Sequence, residues 1–257
     1  MGKLSIRLFG RLKVLDGAGG EVSLSGKKPR ALLAYLALNA GQPQPRDRLA
    51  TLLWGDRFEE QARQSLRQCI SKLRKTLDDA EPGILLTNGD DVGLNADATD
   101  IDASNFVWLA AKGTPDTLAK AAGLYGGILI DGLDVKEKAF EDWIGAERAR
   151  FNDLACDVLA KHSQYQAEAG DTGAAIETAR RLVALDPLRE EAHRALMRLY
   201  VQTGRRAQAL KQFQVCAEGL RRDLGAEPEA ETARLYTEIQ RSPSLRQSCL
   251  LSGASIP

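Results

Sequence analysis

The 257-residue sequence has few of the side chains that form disulfides or bind metal ions. It contains two histidines and four cysteines, and no Cys-x-x-Cys pair or cysteine–histidine cluster occurs. This spacing excludes the usual zinc frameworks and a disulfide-stabilised secreted domain. We therefore expect reduced cysteines in a cytoplasmic protein, at Cys69, Cys156, Cys216 and Cys249.

The sequence also lacks long apolar runs and the short motifs of common enzymes. No apolar run reaches about 18 residues, which argues against a membrane-spanning helix, and the N-terminal MGKLSIRLFG has no long apolar core of a secretion signal. There is no GxSxG, GxGxxG or Walker-type loop, and the GAGG at residues 17–20 is too short for phosphate binding and lacks the lysine. We therefore expect no enzymatic activity, no cofactor, no metal site and no membrane partner.

The formal net charge of zero hides a separation of charge along the chain. Residues 1–80 contain 15 basic and 8 acidic side chains, whereas residues 81–257 contain 20 and 27. The first part therefore carries a net charge of +7 and the remainder a net charge of −7. This pattern is expected of a nucleic-acid-binding domain joined to a second domain.

The segment QARQSLRQCISKLRKTL, residues 61–77, has five basic side chains and no acidic one. Its apolar residues recur at steps of four, three and four, which predicts a helix with one narrow buried stripe. That stripe comprises Leu66, Ile70, Leu73 and Leu77. Taken alone, such a basic face is most often a solvated surface. The alternative is a helix in a DNA groove, where Lys and Arg neutralise phosphates and Gln, Arg and Ser bond to base edges.

The elements around this segment favour the second interpretation. Three short strands are predicted at LSIRLFG, LKVLDG and EVSL. Two helices follow, at PRALLAYLALNAG and RDRLATLLW, and they are separated by a break at QPQP. After the basic segment, a hairpin with an Asn-Gly turn is predicted at ILLTNGDDVGLNAD. A helix-turn-helix followed by a hairpin is a winged helix, in which the third helix enters the major groove. The order therefore favours a DNA-reading role for residues 61–77.

From residue 101 onward the pattern is helical and contains an internal repeat. GDTGAAI at residues 170–176 aligns with GRRAQAL at residues 204–210, and this offset of 34 is the period of the tetratricopeptide repeat. The small Ala175 and Ala209 are expected where paired helices approach closely. Further helices, which would complete the stack, are predicted at residues 117–125, 138–167 and about 228–241.

The sequence thus predicts an α+β N-terminal winged helix-turn-helix followed by an all-α tetratricopeptide-like helical repeat domain. The expected divisions are a DNA-binding domain at residues 1–100, the repeat domain at 101–241 and a tail at 242–257. Three tryptophans lie among apolar neighbours, which predicts core positions for Trp54, Trp108 and Trp143.

The first hundred residues resemble the DNA-binding domain of OmpR-type response regulators, through PRALLAYLALNAG, LLW and ISKLRKTL. Residues 101–241 resemble the bacterial transcriptional activator domain, through DASNF, LYGGILIDGL, EDWIGAERAR, LDPLREEAHRALMRLY, GRRAQALKQF and LRRDLGAEPEAETARLY. Together they resemble the SARP/AfsR-type regulators. The resemblance implies a bacterial transcriptional activator that binds tandem direct repeats in double-stranded DNA as side-by-side copies and helps recruit RNA polymerase.

The resemblance also assigns site residues, because the family's recognition helix matches Gln64 to Lys75. Base-edge contacts are expected from Gln64, Gln68 and Ser71. Phosphate contacts are expected from Arg67, Lys72, Arg74 and Lys75. Five further cations lie at the starts of the first two helices: Lys27, Lys28, Arg30, Arg46 and Arg48. They are expected either to contact the DNA backbone or to be ordinary solvated surface residues.

The wing departs from the family pattern, since its turn contains Asp90 and Asp91 and no basic residue lies between Lys75 and Lys112. Carboxylates near phosphates repel them, so either the wing points elsewhere, for example to a neighbouring copy, or DNA affinity is weak. An Asp-rich turn is also favoured by Asn-Gly-Asp turn chemistry alone. The alternative function is a tetratricopeptide-like protein-interaction module whose winged helix binds DNA weakly or not at all.

Overall fold

The computed structural model describes residues 2–241, in which there are ten α-helices and six short β-strands. The chain divides into two compact units, Met1–Leu154 and Ala155–Pro257. Within the described residues, no helix is both long and apolar enough to cross a membrane. The tail predicted at residues 242–257 lies outside the described residues.

The first unit begins with a three-stranded sheet. Strand β1 (Leu4–Arg7) pairs antiparallel with β2 (Lys13–Leu15) and parallel with β6 (Thr99–Ile101). The predicted third N-terminal strand, residues 21–24, is wrong, because that segment makes only an isolated bridge at Glu21. The far edge of β1 is instead covered by β6, some 95 residues later in the chain, and a local alternating pattern does not specify such a partner.

Three helices follow in the predicted order: α1 (Lys27–Leu38), α2 (Arg46–Trp54) and α3 (Glu59–Asp78). Helix α3 buries the predicted apolar stripe and leaves its opposite side exposed. Its first turn is acidic and its last turn contains Lys75, which is the favourable arrangement of charge along a helix dipole. The predicted three-helix arrangement is confirmed.

The wing is a second three-stranded sheet. Strands β4 (Leu85–Asn88) and β5 (Asp91–Leu94) form the predicted hairpin around a two-residue turn, and Gly89 in that turn has a φ of 57°. The break predicted at QPQP contains the short strand β3 (Gln44–Pro45), which pairs with β5. Its Gln44 side chain is buried and accepts a hydrogen bond from the Tyr35 hydroxyl at 3.2 Å.

The first unit continues past residue 100 through α4 (Asp102–Lys112), α5 (Pro115–Leu124) and the start of α6 (Lys138–Glu168). The buried Asp102 carboxylate accepts hydrogen bonds from the backbone N–H groups of Leu8 at 2.8 Å and Phe9 at 3.2 Å. An aromatic cluster surrounds these bonds, with ring centroids 5.0–6.2 Å apart, and consists of Phe9, Phe106, Tyr125 and Phe151. The sheet and α4 therefore share one core.

The three tryptophans occupy different environments in this unit. Trp54 is buried, and Trp143 packs against Tyr35 with ring centroids 4.8 Å apart. Trp108 is 60% exposed, so its predicted core position is wrong. It lies on the outer side of α4, where the Lys112 ammonium sits 5.3 Å from its ring centroid.

The second unit contains the rest of α6 and the helices α7 (Thr172–Leu185), α8 (Glu190–Gln202), α9 (Arg206–Leu224) and α10 (Ala230–Arg241). The 34-residue offset is structural, because α7 and α9 begin 34 residues apart and Gly170 and Gly204 both adopt left-handed backbone before them. Ala175 and Ala209 are fully buried, as the close packing of paired helices requires. The predicted helical repeat fold is confirmed.

Polar contacts hold α10 against α8 and α9. The Arg194 guanidinium, only 5% exposed as a residue, donates to Thr232 at 2.9 Å and to Glu229 at 3.2 Å. Phe213 and Tyr236 stack with centroids 4.0 Å apart. Helix α10 is therefore part of the second unit's core.

Candidate nucleic-acid interface

One side of α3 carries side chains that are exposed and unpaired. Gln64, Gln68, Ser71 and Lys75 follow one another at steps of four, three and four, which places them on one line along the helix. Arg67 and Lys72 flank that line and are also exposed. Within residues 2–241, none of these six side chains makes a hydrogen bond or ion pair, so their donors and acceptors are available to a ligand. We call this surface the α3 face.

Arg74, the remaining basic residue of the predicted set on α3, is half-buried and connects the helix to the wing. Its Nη2 donates to the Thr87 hydroxyl of β4 at 2.7 Å. This bond orients the guanidinium beside the wing strand, and among the residues that the structure describes no carboxylate is bonded to it. Arg74 therefore keeps its full positive charge next to Lys75.

The cations at the start of α1 are placed differently from one another. Lys28 is held inside the unit, because its ammonium bonds to Glu137 at 2.5 Å and also to the Leu53 carbonyl. Lys27 forms only an exposed ion pair with Asp134 at 3.9 Å, which contributes little. Arg30 lies in a separate cleft of about 500 Å³. The same cleft is lined by the cations Arg11 and Lys13 and by the acids Glu21 and Asp131.

The cations at the start of α2 lie nearer to α3 and the wing. The Arg46 backbone N–H donates to the Asp90 carbonyl at 2.9 Å, which fastens the wing turn to the first residue of the helix. The Arg48 guanidinium is exposed and lies 5.9 Å from the centroid of the Tyr35 ring. Of the two, only Arg46 borders the same cleft as the α3 residue Arg67.

That cleft, of about 270 Å³, brings together residues of α2, α3 and the wing turn, and we call it the arginine pocket. It is lined by Arg46, Asp47, Arg63, Leu66, Arg67 and Asp90. Asp47 accepts two hydrogen bonds from Arg63, at 2.9 and 3.1 Å, and Glu59 forms an ion pair with the same guanidinium at 2.8 Å. The pKa of Arg63 is raised by its bonds to Asp47, by the charges of Asp47 and Glu59 and, more weakly, by Asp90.

No pattern in the sequence predicts the arginine pocket. Asp47 and Arg63 are 16 residues apart, and Asp90 follows 27 residues after Arg63. No helical or strand period connects those positions, so only the packing of α2, α3 and the hairpin makes them neighbours. Their acidic and basic residue types were the only local signal.

The cysteine beneath the α3 face is a packing residue. Cys69 is buried on the opposite side of the helix, and burial raises the pKa of its thiol to about 11, so the group is protonated at neutral pH. Among residues 2–241, no three His, Cys, Asp or Glu side chains are grouped so that they could hold a metal ion.

The bacterial transcriptional activator domain model matches residues 109–240, just over half of the chain. The chain belongs to this family. The C-terminal domain model of transcriptional regulatory proteins, the OmpR-type DNA-binding domain, matches residues 19–89 and thus includes all of α1, α2 and α3. These two domains, with relatives of the same architecture, make the chain a SARP/AfsR-type transcriptional regulator.

Several curated relatives match most of the chain. The Regulatory protein AfsR of Streptomyces coelicolor is 28% identical over 89% of this chain, but the chain spans only 24% of that protein. The Regulatory protein DnrI of Streptomyces peucetius is 26% identical over 93% of both. The solved structure of Mycobacterium tuberculosis EmbR in complex with a low affinity phosphopeptide superposes with a TM-score of 0.75 at 24% identity, covering 98% of this chain and 69% of that one. The last likeness shows a shared fold.

Proposed function

We propose that this regulator is a sequence-specific activator that binds tandem direct repeats near a promoter, as side-by-side copies, and contacts RNA polymerase. The observation that carries the DNA-binding part is the α3 face, where six polar or basic side chains have no partner within residues 2–241. A core-packing helix needs no such line of amides, hydroxyl and cations on its outer side. Groove-bound helices need all three groups.

The positions on α3 suggest a division of roles. Gln64, Gln68 and Ser71 can donate to and accept from base edges, because they lie along the middle of the exposed side. The cations flank this line or extend it toward the end of the helix, where phosphates border the groove, and they are Arg67, Lys72, Arg74 and Lys75. At the helix starts, we propose Arg46 and Arg48 as additional backbone contacts, and we do not propose Lys28, because its ammonium is bonded to Glu137.

The activator role and its domains are supported by the family rather than by a site. The matched family is an activator domain, and the division we propose is a DNA-binding domain at residues 1–100 and an activator domain at 101–241. Direct repeats require a head-to-tail arrangement of copies, which is a heterologous contact. RNA polymerase is the partner that an activator domain implies.

Fluorescence anisotropy with a DNA duplex tests the role of the α3 face. The duplex would be a direct-repeat site selected from a random pool, titrated at about 50 and 200 mM salt. We expect affinity to fall steeply with salt, since each neutralised phosphate contributes a slope of about −0.9. Changing Arg67, Lys72 and Lys75 together to Ala should abolish binding at 200 mM salt.

A charge-matched variant separates this role from net charge. Lys120, Lys161 and Lys211 are exposed lysines outside α3, and changing all three to Ala removes the same charge. We expect this variant to bind nearly as well as the parent chain. Equal loss in both triple variants, or no selected site at all, would contradict the proposal. Gln64→Ala and Gln68→Ala should each reduce discrimination between bases by about 1–3 kcal/mol while leaving the salt slope unchanged.

A second candidate, protein interaction, is favoured by a groove in the second unit. This groove of about 540 Å³ is lined by residues of α6, α7 and α8, among them the small side chains Ala160, Ala167 and Ala195. If it receives a protein partner, Ala195→Trp should block binding of RNA polymerase holoenzyme to the DNA complex and leave DNA affinity unchanged. Retained polymerase binding with the groove filled would exclude the groove as that contact.

A further inference from the structure

The basic charge of the α3 face is unevenly compensated along the helix. In and beside the arginine pocket, Arg46, Arg63 and Arg67 are accompanied by three carboxylates, those of Asp47, Glu59 and Asp90. At the other end of the helix, no carboxylate within residues 2–241 is bonded to Lys72, Arg74 or Lys75. The charges of these six side chains cancel, whereas the three cations at the other end of the helix are not compensated by a bonded carboxylate.

Most donors of Arg63 are already used. Asp47 occupies Nε and one N–H of Nη2, and Glu59 is paired with the same Nη2. Of the five guanidinium N–H groups, the two on Nη1 remain for a further acceptor. A phosphate that reached them would lie in the same cleft as the Asp47 and Asp90 carboxylates, well within the Debye length of about 10 Å at 0.1 M salt.

The backbone of Asp90 is fixed beside the arginine pocket. The Asp90 carbonyl accepts from the Arg46 N–H at 2.9 Å, and the flanking residues Asn88 and Asp91 are paired across the hairpin. A two-residue turn fixed at both ends keeps this residue, and with it a negative charge, at the cleft that an approaching DNA backbone would meet.

We propose that Asp47 and Asp90 limit the affinity of the α3 face for DNA phosphates. Backbone attraction then comes mainly from Lys72, Arg74 and Lys75, because the nearby carboxylates weaken the attraction of Arg67 for phosphates. The first half of α3 contributes mainly hydrogen bonds to bases. This inference rests on the proposed DNA-binding function and identifies residues that lower, rather than supply, affinity. The acidic wing is thereby a restraint on binding and not a contact.

Neutralising substitutions of the same shape test the proposal. For Asp90→Asn, we expect binding about two- to sevenfold tighter at 50 mM salt, because a unit charge about 7 Å from one or two phosphates in water changes affinity by that factor. The salt slope should steepen by about one phosphate equivalent, for the selected site and for an unrelated duplex alike. Asp47→Asn should act in the same direction.

The matched control is Asp97→Asn. Asp97 is exposed and follows β5, at the opposite end of the hairpin from the wing turn, and the four residues of β5 alone span about 13 Å. This variant should bind as the parent chain does. Circular dichroism and thermal unfolding of each variant would verify that its fold is intact.

The outcomes distinguish this inference from the function on which it rests. Tighter binding in both pocket variants and unchanged binding in the control support it. If the parent chain binds DNA and Asp90→Asn binds equally well or more weakly, the inference is overturned and the DNA-binding proposal stands. Weaker binding of the variant would mean that the carboxylates orient the arginines. If neither the parent chain nor any acid-neutralised variant binds DNA, both proposals fail.

Discussion

Removing the Asp102 carboxylate should destabilise the first unit strongly. Asp102 is 3% exposed and accepts from the backbone N–H groups of Leu8, Phe9 and Ala103 at 2.8, 3.2 and 2.7 Å. Leu8 and Phe9 lie in the core at the end of β1, and Ala103 is fully buried in the first turn of α4. Asp102→Ala therefore removes the acceptor of three buried backbone donors and loosens β1 from α4.

The magnitude follows from these three donors. An unsatisfied buried N–H costs about 1–3 kcal/mol, so three cost about 3–9 kcal/mol before any compensation. Burial raises the pKa of Asp102 above its ordinary value despite the backbone bonds, which shows that the ionised group itself is desolvated at a cost. Removing that group returns part of this cost, and we expect a net loss of about 2–4 kcal/mol.

Urea unfolding followed by tryptophan fluorescence measures this loss, because Trp54, Trp108 and Trp143 all belong to the first unit. Asp102→Asn keeps one acceptor oxygen and should lose about half as much. A loss below about 1 kcal/mol for Asp102→Ala, or equal losses for both variants, would refute the account of the buried donors.

The pH dependence provides an independent check. Since the folded-state pKa of Asp102 is raised, the folded chain binds more protons than the unfolded chain between the ordinary value of 3.8 and the raised value. Stability from this group is therefore complete below 3.8 and is lost as pH rises through the folded pKa. The difference in unfolding free energy between the parent chain and Asp102→Ala should widen as pH falls from 7 and level off near 3.8.

Two further predictions concern the second unit. Arg194→Ala should lower the unfolding free energy of this unit by about 1–3 kcal/mol, because a buried guanidinium that bonds Thr232 is lost. Arg198 is half-exposed, and Arg198→Ala should cost under about 1 kcal/mol. Unfolding followed by helical circular dichroism measures both changes, and equal effects would argue against a role for burial. Ala209→Leu should cost about 1–3 kcal/mol through overpacking, and Ala207→Leu, at an exposed position of the same helix, should be nearly neutral in the same assay.

Much of the secondary structure was predictable because its causes are local. The apolar stripe of α3, the turn at Gly89 and the 34-residue repeat all arise from residues that lie close in sequence, and each was confirmed. The errors have the same origin. Residues 21–24 alternate like a strand but lack a partner beyond a single bridge, and Trp108 has apolar neighbours in sequence although its side of α4 faces outward.

The sequence by itself determined the line of candidate DNA-contacting residues, since a helical period and residue type are sufficient to place Gln64, Gln68 and Ser71 together. Tertiary structure alone decided which charges are available. Lys28 is occupied by Glu137, 109 residues away, and Arg63 is occupied by Asp47 across two helices. Charge compensation depends on distances of a few ångströms between side chains. Those distances are set by how helices and hairpin pack, and no spacing along the chain encodes them directly.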